Sequence, residues 1–256
     1  MSHPSNLRVG KVYLVGAGPG DPGLITVRGT QCLALADVVF YDYLTNPALL
    51  GYAPRAAERI SLAQHHGGRT AQEEINRRMI EAAEAGKTVV RLKSGDPNLF
   101  GRGAEETDAL AAAGIPFETV PGVTAALAAA SHAGIPLTHR DLSSAVALIT
   151  GHQRADKSPP DLDYDALARF PGTLIFYMGM TTAGQWSEAL IQGGRRPDTP
   201  VAIVRRASWP DQETTLATLA DVADVIQRRG IRPPAVIVVG DVVALATLRP
   251  ESENSS

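Results

Sequence analysis

The first half of the chain alternates strand-like and helix-like segments, and this alternation constrains the fold more than any other feature. Residues 11–15 form a short apolar run, 16–23 a glycine-rich loop, 24–35 a stretch with helical spacing, and 37–41 a second apolar run. Residues 72–85 predict a helix with acidic residues early and Gly86 as its stop. A third strand follows at 88–92, then the loop Ser94-Gly95-Asp96-Pro97, then a helix over about 103–113 halted by Gly114. Strands separated by helices imply a mainly parallel sheet covered on both faces.

After Pro121-Gly122 the texture changes. An Ala-rich helix ends at Gly134, and residues 145–150, 173–178, 201–204, 214–219 and 235–239 predict strands. Helices near 184–192 and 220–228 separate only some of them, which points to a mixed sheet. The polar, Pro-bearing stretch 151–165 reads as a surface loop and the small polar tail as disordered. The expected organisation is therefore α/β throughout: an N-terminal domain over 8–120, a C-terminal domain over 121–248, and a tail over 249–256.

Composition excludes several classes. A formal charge of −3 provides no basic field for a nucleic-acid backbone. The single cysteine, Cys32, can form no internal disulfide and fits a reducing cytoplasm. The opening Met1-Ser2-His3-Pro4-Ser5-Asn6 lacks the basic and apolar regions of a secretion signal. The uncharged stretch 119–137 contains Pro, Gly, Ser and His, so it reads as a buried helix with flanking loops and not as a membrane span. A soluble cytoplasmic protein is expected.

The loop Gly16-Ala17-Gly18-Pro19-Gly20-Asp21 lies between a strand and a helix, and three readings compete. A dinucleotide fingerprint would need a third glycine at position 21. Asp21 would instead repel a pyrophosphate at the helix amino terminus, and Pro19 removes an N–H that could cradle it. A cofactor with a cationic sulfonium and no phosphate tolerates the acid better. The third reading is a tight turn with no ligand.

The stretch from Val12 through Gly16-Ala17-Gly18-Pro19-Gly20-Asp21-Pro22-Gly23 to Thr26 resembles the opening of the tetrapyrrole methylase family. Further segments continue the likeness in the same order: Ala36-Asp37-Val38-Val39-Phe40-Tyr41-Asp42, Arg91-Leu92-Lys93-Ser94-Gly95-Asp96-Pro97, Phe100-Gly101-Arg102-Gly103-Ala104-Glu105-Glu106, Val120-Pro121-Gly122-Val123-Thr124-Ala125-Ala126 and Ala133-Gly134-Ile135-Pro136-Leu137-Thr138-His139-Arg140. Weaker matches at 176–178 and 234–240 extend the coverage to roughly residues 11–245. The segments around Arg102 and Arg140 resemble the branch that methylates uroporphyrinogen III.

That resemblance implies two α/β domains with a cofactor cleft between them (the class III methyltransferase fold) and a homodimer. It implies S-adenosylmethionine as methyl donor, S-adenosylhomocysteine as product, and a small-molecule tetrapyrrole as substrate. Two successive transfers, to carbons 2 and 7, would give precorrin-2 for sirohaem, cobalamin or haem d1. By matched position the cofactor should touch Pro19, Ser94, Gly95, Asp96, Leu99, Thr124, Ala125, Met178, Ala207 and Gly240. Substrate handling and chemistry should involve Asp42, Arg102, Glu105 and Arg140.

These residue types suit the reaction. In-line methyl transfer depends on positioning, and Arg forks orient a polycarboxylate. Arg102 and Glu105, three apart at a helix start, face one side; in an arbitrary sequence such a pair is a solvated salt bridge. Attack by a pyrrole carbon spreads positive charge into the ring, and a proton must later leave, which a carboxylate can accept, with Asp42 placed ahead of Glu105. Asp42 could equally be a turn residue that caps the next segment. Arg140 is a carboxylate clamp or an exposed loop cation, and Met178 a cofactor contact or a core residue. Trp186 and Trp209 read as packing residues. Three positions depart from the family pattern: His65 stands where the family has Lys, Ser94 where it has Gly, and Asn98 where it has an aromatic residue. His65-His66 lacks a third ligand, so no metal is expected.

Overall fold

Every residue of strand β1 (Val12–Gly16) is buried, which explains its unbroken apolar run: it is a central strand covered on both faces. The computed structural model describes residues 9–62, 69–152 and 162–246. The chain divides into two compact units after Thr124. His65, His66, the tail from 249 and most of the polar loop after 151 lie outside the described residues.

In the first unit, β1 joins β2 (Val38–Tyr41), β3 (Glu58–Ser61), β4 (Val89–Lys93) and β5 (Phe117–Val120) in one sheet of order β3-β2-β4-β1-β5. All four strand pairs are parallel. Helix α1 (Val27–Ala34) leads from β1 toward β2, α2 (Arg69–Glu84) enters β4, and α3 (Gly103–Ala112) joins β4 to β5. Alternate strand residues sort onto opposite faces. Cys32 and Leu33 of α1 pack with Val15, Val39, Val90 and Leu92. Ile75 and Met79 of α2 and Leu110 of α3 pack with Val12, Leu14, Phe40 and Val89 on the other face. Each such leucine contributes about 1.5–3 kcal/mol by leaving water. The neighbouring strands β1 and β4 therefore send their following helices to opposite faces. Their carboxyl ends form a topological switch point, the place where open α/β sheets bind ligands.

The second unit contains α4 (Ala125–Ala133), β6 (Val146–Thr150), α5 (Tyr164–Arg169), β7 (Thr173–Tyr177), α6 (Ala183–Gln192), β8 (Pro200–Arg205), β9 (Glu213–Thr218), α7 (Val222–Arg229) and β10 (Ala235–Val239). The sheet order is β6-β7-β10-β8-β9, parallel only between β6 and β7, so it is mixed as expected. Trp186 is fully buried and stacks on Phe176 at 4.3 Å. Its Nε1 donates to the Gly179 carbonyl at 2.9 Å, so its role is packing with a satisfied polar atom.

The structure adds elements that the sequence pattern concealed. β3 is an exposed edge strand reading Glu-Arg-Ile-Ser, without apolar alternation. β5 is four residues of Phe-Glu-Thr-Val on the opposite edge. The helix expected from 24 begins at Val27, because the Thr26 hydroxyl caps it by accepting from Gly29 N. Asp21 caps the preceding turn, accepting from Gly23 N at 2.7 Å. Within the stretch expected to be loop up to 165, Asp163 caps α5 by accepting from Ala166 N at 2.9 Å. Among the described residues no helix is long and apolar enough to cross a membrane.

Glu118 of β5 ties the sheet edge together. It accepts from Lys11 Nζ at 2.8 Å and from both Nε and Nη2 of Arg28, at 2.7 and 2.9 Å. The Arg28 bonds first, and the Lys11 bond next, pull its carboxyl from 4.5 down to about 2. A depressed carboxyl contributes stability that is present above its unfolded value and lost as pH falls through the folded one. Glu118→Gln should therefore flatten the fall in urea stability between pH 4.5 and about 2. The site is solvent-screened, so the change should be about 1 kcal/mol or less. An unaltered acid profile would remove the cluster from the stability account.

Candidate active site at the carboxyl edge of the first sheet

The loops leaving β1, β4 and β5 are joined backbone to backbone. Gly18 and Gly95 exchange N–H···O bonds of 3.3 and 2.8 Å, and Ala17 N donates to Lys93 O at 2.7 Å. A Cβ on Gly122 would lie 2.2 Å from Gly95 O and 2.8 Å from Gly16 Cα, so only glycine permits this approach. Asp96 binds two loops together: Oδ2 accepts from Gly122 N at 3.0 Å and Oδ1 from Asn98 N at 2.8 Å. At Gly95 (φ +68°) a Cβ would meet nothing nearer than Thr124 Cα at 4.0 Å, which leaves that backbone open to a ligand. Pro19 is buried in the loop that Gly18 bonds to Gly95, while Ser94, Leu99 and Thr124 are partly exposed. The fold thus gathers Pro19, Asp42, Ser94, Gly95, Asp96, Leu99 and Thr124 at one sheet edge.

Beneath this edge lies a charge cluster that the sequence pattern did not reveal. Arg91 and Lys93 of β4 and Glu106 of α3 are all at most 3% exposed. Glu106 Oε1 accepts from Arg91 Nε at 3.0 Å, Lys93 Nζ at 2.9 Å and Gln72 Nε2 at 3.1 Å. Arg91 Nη2 then donates to Asp42 Oδ1 at 2.6 Å. Burial opposes the charge on Arg91, but Asp42 and Glu106 outweigh it and hold the guanidinium above its usual range. Burial, reinforced by Arg91, pushes the Lys93 ammonium down. One signal could have exposed the cluster: Arg91 and Lys93 alternate on an otherwise apolar strand, so both point into the α2–α3 layer and require a buried acid there.

Arg102 and Glu105 form a two-pronged ion pair, Nε–Oε1 at 2.8 Å and Nη2–Oε2 at 2.7 Å, at the exposed start of α3. The bonds it donates to Glu105 raise the Arg102 guanidinium above its usual range. Arg102 also has a left-handed backbone, φ 58°.

In the second unit the predicted residues separate into two edges. The Tyr177 hydroxyl accepts from Ala126 N at 2.9 Å, which brings Ala125 and the start of α4 to the carboxyl end of β7, where Met178 is half exposed. Val236 pairs with Tyr177 and Ala235 with Arg205, so Ala207, just beyond β8, shares that edge. Gly240 follows β10 at the opposite end, its would-be Cβ 3.5 Å from Thr173 Cα. Arg140 also lies toward Thr173. It sits in the turn closed by the His139–Ser143 bridge, and the Ser143 hydroxyl meets the Thr173 hydroxyl at 2.9 Å. At about 3.3 Å per residue, five-residue strands put these edges roughly 15 Å apart. The structure therefore groups Ala125, Met178 and Ala207 but not Gly240 or Arg140. Arg140 is exposed and makes no ion pair with another described residue.

Backbone strain marks the same places. Among the described residues, the non-glycine residues with positive φ are Phe100, Arg102, Met178, Arg206 and Ser208. Each costs on the order of 1–3 kcal/mol and persists where a site requires it. All are predicted site residues or flank one, Leu99 or Ala207. No group of three His, Cys, Asp or Glu among the described residues is placed to hold a metal ion.

The profile of the Tetrapyrrole (Corrin/Porphyrin) Methylases matches residues 11–223. The chain belongs to that family. It is 46% identical over 237 residues to an S-adenosyl-L-methionine-dependent uroporphyrinogen III methyltransferase of Methanosarcina barkeri, covering 92% of this chain and 93% of that one. It is 50% identical over 94% of its length to the sirohaem synthase of Zymomonas mobilis, but spans only 50% of that longer protein. The fold superposes on a uroporphyrin-III C-methyltransferase of Thermus thermophilus complexed with S-adenosylhomocysteine: TM-score 0.79, 41% identity, 92% of this chain and 100% of the other. A cobalt precorrin-4 methyltransferase gives TM-score 0.82 at 35% identity, covering 91% and 95%. The two-sheet α/β fold of this methylase chain is thus that of its family.

Proposed function

We propose that this chain transfers methyl groups from S-adenosylmethionine to uroporphyrinogen III, twice in succession at carbons 2 and 7, giving precorrin-2 for sirohaem, cobalamin or haem d1 synthesis. The observation that carries this reading is the near full-length match, in both directions, to the Methanosarcina methyltransferase. The switch-point geometry supports the cofactor. In the loops 16–23 and 94–100 the only charges are Asp21 and Asp96, a setting that suits a cation and repels a phosphate.

Pro19, Ser94, Gly95, Asp96, Leu99, Thr124, Ala125, Met178 and Ala207 are proposed to hold the cofactor. Gly240 is left out because it lies at the far edge of its sheet. When bound, the cofactor supplies an electrophilic methyl on a sulfonium. Asp42 presents Oδ2, to which no described residue donates, as acceptor for the ring proton released after methylation. Arg140, which has no acidic partner among the described residues, suits a substrate carboxylate. Arg102 can exchange Glu105 for a substrate carboxylate at little cost, because an exposed ion pair is worth only about 0–1 kcal/mol. Exchange of one of the two bonds would leave Glu105 holding the other and orienting the guanidinium. The buried thiol of Cys32 suits a reducing cytoplasm, and a homodimer follows the family resemblance.

A second reading, methylation of a later corrin precursor, draws on the TM-score of 0.82 to the precorrin-4 enzyme. Anaerobic incubation with uroporphyrinogen III and S-adenosylmethionine, followed by product mass, tests both. A gain of two methyl groups is expected. No gain, with S-adenosylhomocysteine still bound, would discard the substrate and favour the second reading.

A further inference from the structure

We infer that Glu106 and Arg91 are positioning residues for Asp42, and that they act by holding one of its carboxylate oxygens so that the other faces the reacting ring. The inference rests on the proposed role of Asp42 as proton acceptor.

Three observations carry it. Arg91 is clamped from behind. Its Nε is held by Glu106 Oε1 at 3.0 Å and its Nη1 by the Leu92 carbonyl at 3.2 Å, leaving Nη2 aimed at Asp42 Oδ1 at 2.6 Å. Glu106 is itself fixed, fully buried, by Lys93 and Gln72 on the same oxygen. Gln72 is held in turn by Asn76 Oδ1 at 3.0 Å. Of the charged groups in this network only Asp42 reaches the surface, with a side chain 30% exposed. The chain of bonds therefore runs from an immobile interior to one accessible carboxylate. A buried ion network of this kind is a poor device for stability, since apolar residues of similar volume do as well or better. Its geometric output is a carboxylate locked at Oδ1, with no donor to Oδ2 among the described residues. Proton transfer requires such control, because misplacement by an ångström can cost a hundredfold in rate. Among the described residues, the charged groups around Asp42 are Arg91 and Lys93 from β4 and Glu106 from α3; α2 brings the amides of Gln72 and Asn76, and its Arg78 lies over the Phe40 ring of β2.

The test is a double-mutant cycle on the full chain, with S-adenosylhomocysteine affinity as the folding control. Glu106→Gln keeps the shape but loses the charge that holds Arg91. Arg91→Lys keeps the buried cation but cannot bridge both carboxylates, and it carries the test if Glu106→Gln does not fold. Each is expected to lower kcat for uroporphyrinogen III about tenfold or more, with KM and S-adenosylhomocysteine affinity unchanged. Added to Asp42→Asn, neither should lower kcat further, because residues acting through one group are not additive. A wild-type kcat in Glu106→Gln or Arg91→Lys, or the same loss repeated on the Asp42→Asn background, would overturn the inference while leaving Asp42 in place. Wild-type turnover of Asp42→Asn itself would remove the proton-acceptor reading and this inference with it.

Discussion

Asp42→Asn should lower kcat with uroporphyrinogen III by roughly 10²–10⁴-fold, the usual contribution of a positioned general base, while leaving S-adenosylhomocysteine binding unchanged. The substitution is close to isosteric. The amide oxygen of the introduced asparagine would still accept from Arg91 Nη2, now 2.6 Å from the Asp42 carboxylate, so β2 and its turn keep their anchor. Thr45 N donates to the Asp42 main-chain carbonyl at 3.0 Å, a bond that does not depend on the side chain. What disappears is the basic oxygen and its charge. An amide nitrogen cannot take the ring proton, nor can it stabilise the positive charge that spreads into the pyrrole as the new carbon–carbon bond forms. Steady-state kinetics under anaerobic conditions separate the alternatives. A fall in kcat at constant KM supports proton acceptance. A rise in KM at constant kcat would make Asp42 a binding residue, and wild-type constants would leave it as a turn residue paired with Arg91.

How much of this site is legible in the chain depends on what each residue answers to. The glycines at 16 and 122 stand out because backbone approach leaves no alternative and those at 18 and 95 because their φ is positive, and the apolar runs at β1 and β4 stand out because both strands are buried on two faces. Edge strands obey weaker constraints. β3 has one strand neighbour and exposed charges, so its four residues carry no alternation to read. Glu106 was hidden for a different reason. Helical spacing pairs Arg102 with Glu105, and the structure does join them. Gly103, Glu106 and Leu110 instead share the buried face of α3. An acid on that face becomes intelligible only when the two cations of β4 are placed against it, which requires knowing that α3 packs over β4's own face of the sheet. Gly240 illustrates the opposite limit. Its glycine and its place after a strand look like those of Gly95, yet β10 runs antiparallel to β7 and β8 and delivers it to the edge opposite Met178 and Ala207. Local sequence does not encode strand direction.

The same backbone lacing makes Gly122→Ala a damaging substitution in the first unit. The new Cβ would stand 2.2 Å from Gly95 O, 2.8 Å from Gly16 Cα and 2.9 Å from Gly16 C. All three are main-chain atoms of β1 or of the loop after β4, so no flexible side chain can yield. Relief requires the β5 loop to move away from its neighbours, which stretches the Gly122 N–Asp96 Oδ2 bond, now 3.0 Å. Overpacking of this kind costs about 1–3 kcal/mol, and each hydrogen bond lost adds about 0.5–1.5 kcal/mol. The larger consequence is at the proposed cofactor site, because Asp96 and Gly95 are held by the same contacts. S-adenosylhomocysteine affinity, measured by calorimetry, should fall at least tenfold, about 1.4 kcal/mol, together with a lowered Tm. Gly51→Ala is the matched control: nothing lies within 4 Å of its would-be Cβ, so both readouts should stay at wild-type values. Wild-type affinity in Gly122→Ala would mean that the glycine junction serves packing alone and that the cofactor does not depend on the loops of the first sheet.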